Sequence, residues 1–236
     1  MALPQPKTYY SPEEYLALER AAEFRSEYMD GEIFAMAGES LNHGRIKADL
    51  VTILGNQLRG KNCESFTSDT KVRTPGINMF GYPDVLVVCG ELSHHDQFQD
   101  VILNPKVIIE VLSPSTEAYD RGEKFASYRQ LESLTDYLLI AQARPLIEHF
   151  VRHGKFWMLS EETDLTQSLY IESIACHLPL KDVYARVEFP ILLWHWCFLK
   201  NQSVWLPFHL QLKLPSRYFL SSLTAHEFQI TALPFL

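Results

Sequence analysis

The sequence predicts an α/β fold in which a mixed central β-sheet is flanked by helices. Apolar runs of strand length recur along residues 1–189, and two or three segments with helical spacing interrupt them. Strands grouped around so few helices favour a mixed sheet over a long alternating β-α series. We therefore expect one domain over residues 1–189, followed by an extension of low structural content over residues 190–236.

The N-terminal part is predicted to form a helix and then a β-hairpin. Ser11 and Glu14 have the spacing of a capping box, and proline at position 12 is tolerated in the first helical turn. The helix should end near Glu19 or Arg20. The Met29–Glu32 segment contains Asp-Gly, which predicts a tight turn between strands near 25–29 and 32–37.

Two further helices and eight strands complete the predicted domain. Apolar residues at helical spacing run from Leu41 or Asn42 to Gly60. Another helix should cover about 117–132, capped by Ser115 or Thr116. Strands are expected near 64–68, 70–74, 83–88, 106–112, 136–141, 146–152, 155–160 and 169–173.

The C-terminal 47 residues, 190–236, differ in composition from the rest of the chain. They hold three of the four tryptophans and only four charged residues. Their apolar residues follow neither a strand period nor a helix period. We expect an irregular extension, such as a read-through or frameshifted end; a membrane-surface or partner-binding segment remains an alternative.

The composition indicates a globular domain and limits the kinds of partner that it can bind. The net charge is −8, which argues against a broad nucleic-acid-binding surface, because such surfaces depend on lysine and arginine. Cys63, Cys89, Cys176 and Cys197 are scattered, so we expect reduced thiols in a cytoplasmic protein, with neither a disulfide nor a zinc site. The first residues lack the basic and apolar blocks of a signal peptide, and no run approaches the ~20 apolar residues of a membrane span, so we expect neither.

Two acidic residues stand in apolar strand-like runs, where burial is costly unless something compensates the charge. They are Asp84 in Gly81–Val88 and Glu110 in Val107–Leu112. Residues 26 positions apart can lie side by side on adjacent strands. Such a pair would hold a hard divalent cation such as Mg²⁺, which binds carboxylates and phosphate oxygens. Lys124 follows on a predicted helix.

Pro83-Asp84 and Glu110 resemble the Pro-Asp…(Asp/Glu)-x-Lys signature of restriction-endonuclease-like nucleases. Over about residues 8–189 the chain is similar to the Uma-two family, a bacterial group of proposed endonucleases. The likeness lies in Glu27-Tyr28-Met29-Asp30-Gly31-Glu32-Ile33, His43, Pro83-Asp84, Glu110–Thr116, Asp120, Lys124 and Tyr128. Leu112 occupies the place of the signature lysine, and Lys124 on the following helix is its candidate replacement.

The resemblance implies a restriction-endonuclease-like core and a metal-dependent endonuclease acting on DNA with Mg²⁺ or Mn²⁺. Asp84 and Glu110 would bind the metal, together with the main-chain carbonyl of Val111. Lys124 would orient the attacking water or stabilise developing negative charge. Glu27 matches an acidic position that can approach a second metal. Without the resemblance, a solvated lysine paired with Asp120 would be the simpler interpretation of Lys124.

Other polar residues have simpler interpretations. His43 could contact phosphate, but a capping or core role is slightly favoured; Tyr128 should pack the helix on the sheet. His94-His95-Asp96 should form a solvated loop. Ser113–Thr116 should be a turn and helix cap rather than a nucleophile.

The sequence also fits two other interpretations. The acidic balance favours a non-catalytic binding or assembly module that keeps the nuclease fold. The unusual extension would also fit the product of a decaying gene. For an active enzyme, cleavage of both DNA strands predicts a homodimer, the commonest symmetric oligomer.

Overall fold

The computed structural model, which describes residues 9–36 and 38–189, confirms the predicted α/β class and a mixed sheet flanked by helices. Residues 190–236, with Cys197 and the predicted extension, lie outside the described residues. In chain order the elements are α1 (Pro12–Ala21), β1 (Ser26–Met29), β2 (Glu32–Ala35), α2 (Leu41–Leu58), β3 (Cys63–Thr67), β4 (Lys71–Thr74), β5 (Met79–Gly81), β6 (Val85–Cys89), β7 (Val101–Ile102), β8 (Val107–Leu112), α3 (Glu117–Tyr119), α4 (Phe125–Tyr128), β9 (Asp136–Ala141), β10 (Ile147–His153), β11 (Phe156–Glu162), β12 (Ser168–Ile171), β13 (Cys176–Pro179) and α5 (Leu180–Val183).

The central sheet has six strands in the order β11-β10-β9-β8-β6-β3. Strands β8 and β9 are parallel, and the other neighbours are antiparallel, so the sheet is mixed. Alternate residues of β8 enter different cores, because successive side chains point to opposite faces. Val107 and Ile109 join the core that contains α2, whereas Ile108 and Leu112 join the core that contains α4.

A second sheet of five strands has the order β2-β1-β5-β4-β7, and β12 pairs with β13. Among the described residues, β5, β7 and β13 are the strands that the sequence did not predict. Strands β5 and β7 contain three and two residues, too few to show an alternating pattern. The N-terminal predictions are confirmed, including the capping box that Ser11 and Glu14 form at α1.

The helix predicted over 117–132 is shorter and irregular. Residues Asp120–Lys124 form a π-helical turn between α3 and α4, and helical structure ends at Tyr128. Thr116 stands at the N-cap position, as predicted, but its side chain makes no capping hydrogen bond. Ser113 accepts the main-chain N–H groups of Thr116 and Glu117 instead. π-helical turns are rare and often occur at functional sites.

The prediction of reduced cysteines is wrong for Cys63 and Cys89, which form a disulfide. The two residues face each other in the antiparallel pair β3–β6, with their Cα atoms 4.0 Å apart. Cys176 is a free, buried thiol. Since disulfides are rare in the cytosol, the cysteine argument for a cytoplasmic location is weakened.

Each helix in the described part of the chain is too short or too polar to cross a membrane.

Candidate active site

The predicted site residues meet where the chain passes from one sheet to the other. The segment Tyr82-Pro83-Asp84 connects β5 of the five-stranded sheet to β6 of the six-stranded sheet. Val85 of β6 is opposite Ile109 of β8, so Asp84 and Glu110 are the next residues along the two strands. Both residues are buried, with 9% of Asp84 and 3% of Glu110 exposed.

Asp84 is held from two directions. The main-chain N–H of Val111 donates to Oδ2 of Asp84 at 2.8 Å. On the other side, Nε2 of His43 lies 2.8 Å from Oδ1 of Asp84. His43 stands at the start of α2, where Ser40 caps the helix by accepting the N–H of His43.

Lys124 brings three acidic residues from different elements together. Its Nζ lies 3.0 Å from Oε1 of Glu110 and 3.1 Å from Oε1 of Glu27 on β1. Asp120, one turn earlier on the π-helical turn, is 3.7 Å away. Glu27 also accepts the main-chain N–H of Tyr82 at 2.9 Å, and so contacts the linking segment directly.

The pKa values of these groups reflect burial opposed by charge. Burial raises the pKa of Glu110 well above its ordinary value, and Lys124 only partly opposes this effect. The pKa of Asp120 is raised for the same reasons. Burial alone would lower the pKa of Lys124, but Glu110 and Glu27 reverse that effect and raise it well above normal. Lys124 is therefore a charged group at neutral pH.

The cluster has more negative than positive groups, and its donors fit a hard cation. Four carboxyl groups, those of Glu27, Asp84, Glu110 and Asp120, face one ammonium and one imidazole. Buried Oε1 of Glu110 lies near Lys124 but receives no well-aligned hydrogen bond from the described residues. Oxygen donors of this kind are those that Mg²⁺ and Mn²⁺ prefer.

Ligand atoms from Glu39, His43 and Asp84 form a second group, all within 4.8 Å of one another. Asp84 therefore lies between two sets of possible ligands. Glu110 and Val111 stand on one side, and His43 and exposed Glu39 on the other.

Sequence reasoning missed part of this arrangement. It slightly favoured a structural role for His43 and gave no sign of the contact with Asp84, which is 41 residues away. Gln142 was missed entirely; its Nε2 lies 3.4 Å from Nδ1 of His43 and donates to the carbonyl of Leu112 at 2.7 Å. A glutamine one residue beyond a predicted strand carries no distinguishing signal.

Other predicted positions lie outside the cluster or pack beside it. Tyr128 is buried in the core beneath the sheet, as expected. The segment His94-His95-Asp96 is less free than a solvated loop, because Arg73 binds His95 and Arg20 binds Asp96. Arginine is a poor neighbour for a bound cation, so this segment is not a competing metal site.

Comparison with known proteins identifies the family. The sequence profile of the Uma2 family, described as "Putative restriction endonuclease", matches residues 12–179. The chain belongs to the Uma2 family. Two Synechocystis relatives are each 37% identical to it. "Uncharacterized protein slr1290" aligns over 180 residues, which is 76% of this chain and 93% of the relative. "Uncharacterized protein sll1609" aligns over 149 residues, 63% of this chain and 84% of the relative.

A solved structure shares the fold of this Uma2 protein. It is a crystal structure from Anabaena variabilis, described as "a putative nuclease belonging to DUF820". The TM-score is 0.61 at 18% identity, over 75% of this chain and 98% of that chain. At this identity the likeness establishes the fold, and together with the family it supports a nuclease in general.

Proposed function

We propose that this Uma2 protein is a metal-dependent endonuclease that hydrolyses phosphodiester bonds of DNA. The observation that carries the proposal is the buried cluster in which Asp84, Glu110 and Lys124 meet with a surplus of carboxyl groups. Such a surplus is costly to bury without a cation. Membership of a family of restriction-endonuclease type gives the reaction class.

In this proposal Asp84, Glu110 and the main-chain carbonyl of Val111 bind Mg²⁺ or Mn²⁺. When bound, such an ion lowers the pKa of water and neutralises charge on the scissile phosphate. The N–H of Val111 bonds to Asp84, so the main chain at this position already faces the cluster. His43 fixes the orientation of the Asp84 carboxylate from the opposite side.

Lys124 acts as a fixed positive charge rather than as a base, because its raised pKa keeps it protonated. In this role it orients the attacking water and stabilises the negative charge that develops on the phosphate. Glu27 holds the Lys124 ammonium toward Glu110 and is the candidate ligand of a second metal ion.

A homodimer and a cytoplasmic location belong to the same proposal. Two copies related by a two-fold axis match the pseudo-two-fold symmetry of the duplex backbone and would allow both strands to be cut. Light scattering of the full-length protein at micromolar concentration tests the dimer. A monomeric mass would contradict it.

The test of the function is plasmid nicking by the full-length protein with Mg²⁺ or Mn²⁺. We expect cleavage that stops with a chelator and falls at least about a hundredfold in Asp84→Asn, because a metal ligand is lost. Asp182→Asn removes an acid from an exposed position and should cleave normally. Cleavage by Asp84→Asn at the wild-type rate would refute the proposed site.

A non-catalytic binding module is the second candidate, and the net charge of −8 favours it. A cleavage assay distinguishes the endonuclease from the binding module. A binding module would bind its partner without breaking any phosphodiester bond in Mg²⁺ or Mn²⁺, and Asp84→Asn would leave that binding intact.

A further inference from the structure

A cleft near the candidate active site is lined by two basic side chains, although the protein as a whole is acidic. Its volume is about 480 Å³, and Arg25 and Lys47 line it together with Thr67, Ser68 and Asp69. In a chain of net charge −8, two basic side chains meeting beside a cluster of carboxylates call for an explanation.

Two lining residues connect the cleft to the surroundings of Asp84. Lys47 follows His43 by four residues on α2, so both side chains lie on one face of that helix, and His43 contacts Asp84. Thr67, at the end of β3, is opposite Val85, the residue after Asp84.

The two basic groups share one anchor. Nη1 of Arg25 donates to the main-chain carbonyl of Ser68, and Nζ of Lys47 donates to the hydroxyl of Ser68 at 3.2 Å. These bonds hold both groups at the cleft before any ligand arrives, which lowers the entropy lost on binding.

The acidic partners of the two basic groups are accessible to solvent. Asp69 lies 2.6 Å from Arg25, but its side chain is 81% exposed, and Glu39, the partner of Lys47, is also exposed. Exposed ion pairs of this kind are weak. A DNA phosphate that contacts both Arg25 and Lys47 can therefore displace the carboxylates of Asp69 and Glu39.

We propose that this cleft binds backbone phosphates of the DNA next to the scissile bond, with Arg25 and Lys47 as the phosphate-binding residues. The inference rests on the proposed nuclease function and gives it a substrate-binding subsite. It also gives an acidic chain two basic groups for DNA at one place, once the phosphate displaces the exposed carboxylates of Asp69 and Glu39. Contacts of this kind position the duplex and carry no sequence information.

The experiment measures binding of a labelled DNA duplex by fluorescence anisotropy in chelator, where no cleavage occurs, over a series of salt concentrations. Arg25→Gln and Lys47→Gln should each weaken binding roughly five- to tenfold near 0.1 M salt and lower the salt dependence by about one counterion. A second duplex of different sequence should show the same losses. Asp69→Asn should strengthen binding roughly threefold, because it removes a competing carboxylate.

Lys155→Gln is the matched control. It removes the same charge from an exposed position in the β10–β11 turn, at the far edge of the sheet from β3, and should bind DNA as the wild type does.

Thermal melts show whether each variant is folded. Asp69→Asn changes an exposed residue, so its gain in affinity is informative even if another variant unfolds. The inference is overturned if the cleft variants bind like Lys155→Gln, or if the wild type does not bind DNA. Plasmid cleavage by wild type and Asp84→Asn, measured in parallel, tests the nuclease function separately.

Discussion

Two buried acidic residues on neighbouring strands of the same sheet have opposite surroundings. Asp136 begins β9, and each of its oxygens has a partner. Nε2 of His149 lies 2.7 Å from Oδ1, and the hydroxyls of Thr135 and Ser173 donate to Oδ2 at 2.7 and 2.5 Å. Glu110 on β8 shares one ammonium with two other acids.

The pKa directions express this difference. Burial raises the pKa of Asp136, but its hydrogen bonds outweigh burial, and the net pKa is lowered. Burial raises the pKa of Glu110, and Lys124 does not compensate it. Asp136 is thus a satisfied structural acid, whereas Glu110 is the kind of strained ionisable group that clusters at functional sites. Equal burial alone would not separate the two.

The largest expected effect comes from Lys124→Met, which removes the ammonium shared by the three acids. We expect the free energy of unfolding at pH 8 to fall by about 3–5 kcal/mol, because buried carboxylates lose their counter-charge. The acids then bind protons more tightly in the folded than in the unfolded state, so stability should rise as the pH falls toward 5. Urea unfolding at both pH values measures this, and equal losses at pH 5 and pH 8 would contradict it.

Glu110→Gln should separate activity from stability. It should lower Mg²⁺-dependent cleavage by at least about a hundredfold, because one of the proposed metal ligands loses its negative charge. The raised pKa of Glu110 means that its ionised form destabilises the fold above pH 4.5, its ordinary value. The neutral amide avoids this cost, so the melting temperature at pH 8 should rise by roughly 2–4 °C. A lower melting temperature would show that the Glu110–Lys124 pair is structural.

Asp136→Asn is the matched change at the acid whose oxygens all have partners. In contrast to Glu110→Gln, it should lower stability and leave cleavage unchanged. Thr135 and Ser173 lose a charged acceptor, which should cost about 1–3 kcal/mol at pH 7 while cleavage is unchanged. The pKa of Asp136 is lowered, so its contribution is present above pH 3.8 and is lost as the pH falls through the folded value. Wild type and variant should therefore converge in stability at low pH. Constant differences from pH 7 to pH 3 would contradict this account.

The Glu110 half of this comparison could be predicted from sequence, because an acid in an apolar strand is visible as a local conflict; the partners of Asp136 were not predicted. Glu110 in Val107–Leu112 is such a case, and its distance of 26 residues from Asp84 indicated adjacent strands. The same argument applies to Cys63 and Cys89, also 26 residues apart and opposite each other in β3 and β6. Because reduced thiols were expected, the Cys63–Cys89 disulfide was not predicted.

The parts that escaped prediction depend on contacts between distant elements. His43 reaches Asp84 from α2, and Gln142 reaches His43 from beyond β9; nothing local to either residue indicates this. Capping at α1 was predictable because Ser11 and Glu14 interact within one helical turn. The irregular turn at Asp120–Lys124 was not, since its helical spacing resembles that of an ordinary helix.

The smallest effect is expected from removal of residues 190–236. The residues of the Asp84–Glu110–Lys124 cluster and the partners of Asp136 all lie within the described residues, 9–36 and 38–189, and the family match ends at residue 179. A chain ending at Phe189 should therefore melt within about 2 °C of the full-length protein, a difference of under ~1 kcal/mol. It should also keep any metal-dependent cleavage. In the truncated chain, as in the full-length protein, Glu110→Gln should raise the melting temperature and Asp136→Asn should lower it.

If the tryptophans and leucines of the removed segment contributed to the core, each would supply ~1.5–3 kcal/mol and the truncated chain would show no cooperative transition. Thermal melts of the two proteins decide between these outcomes.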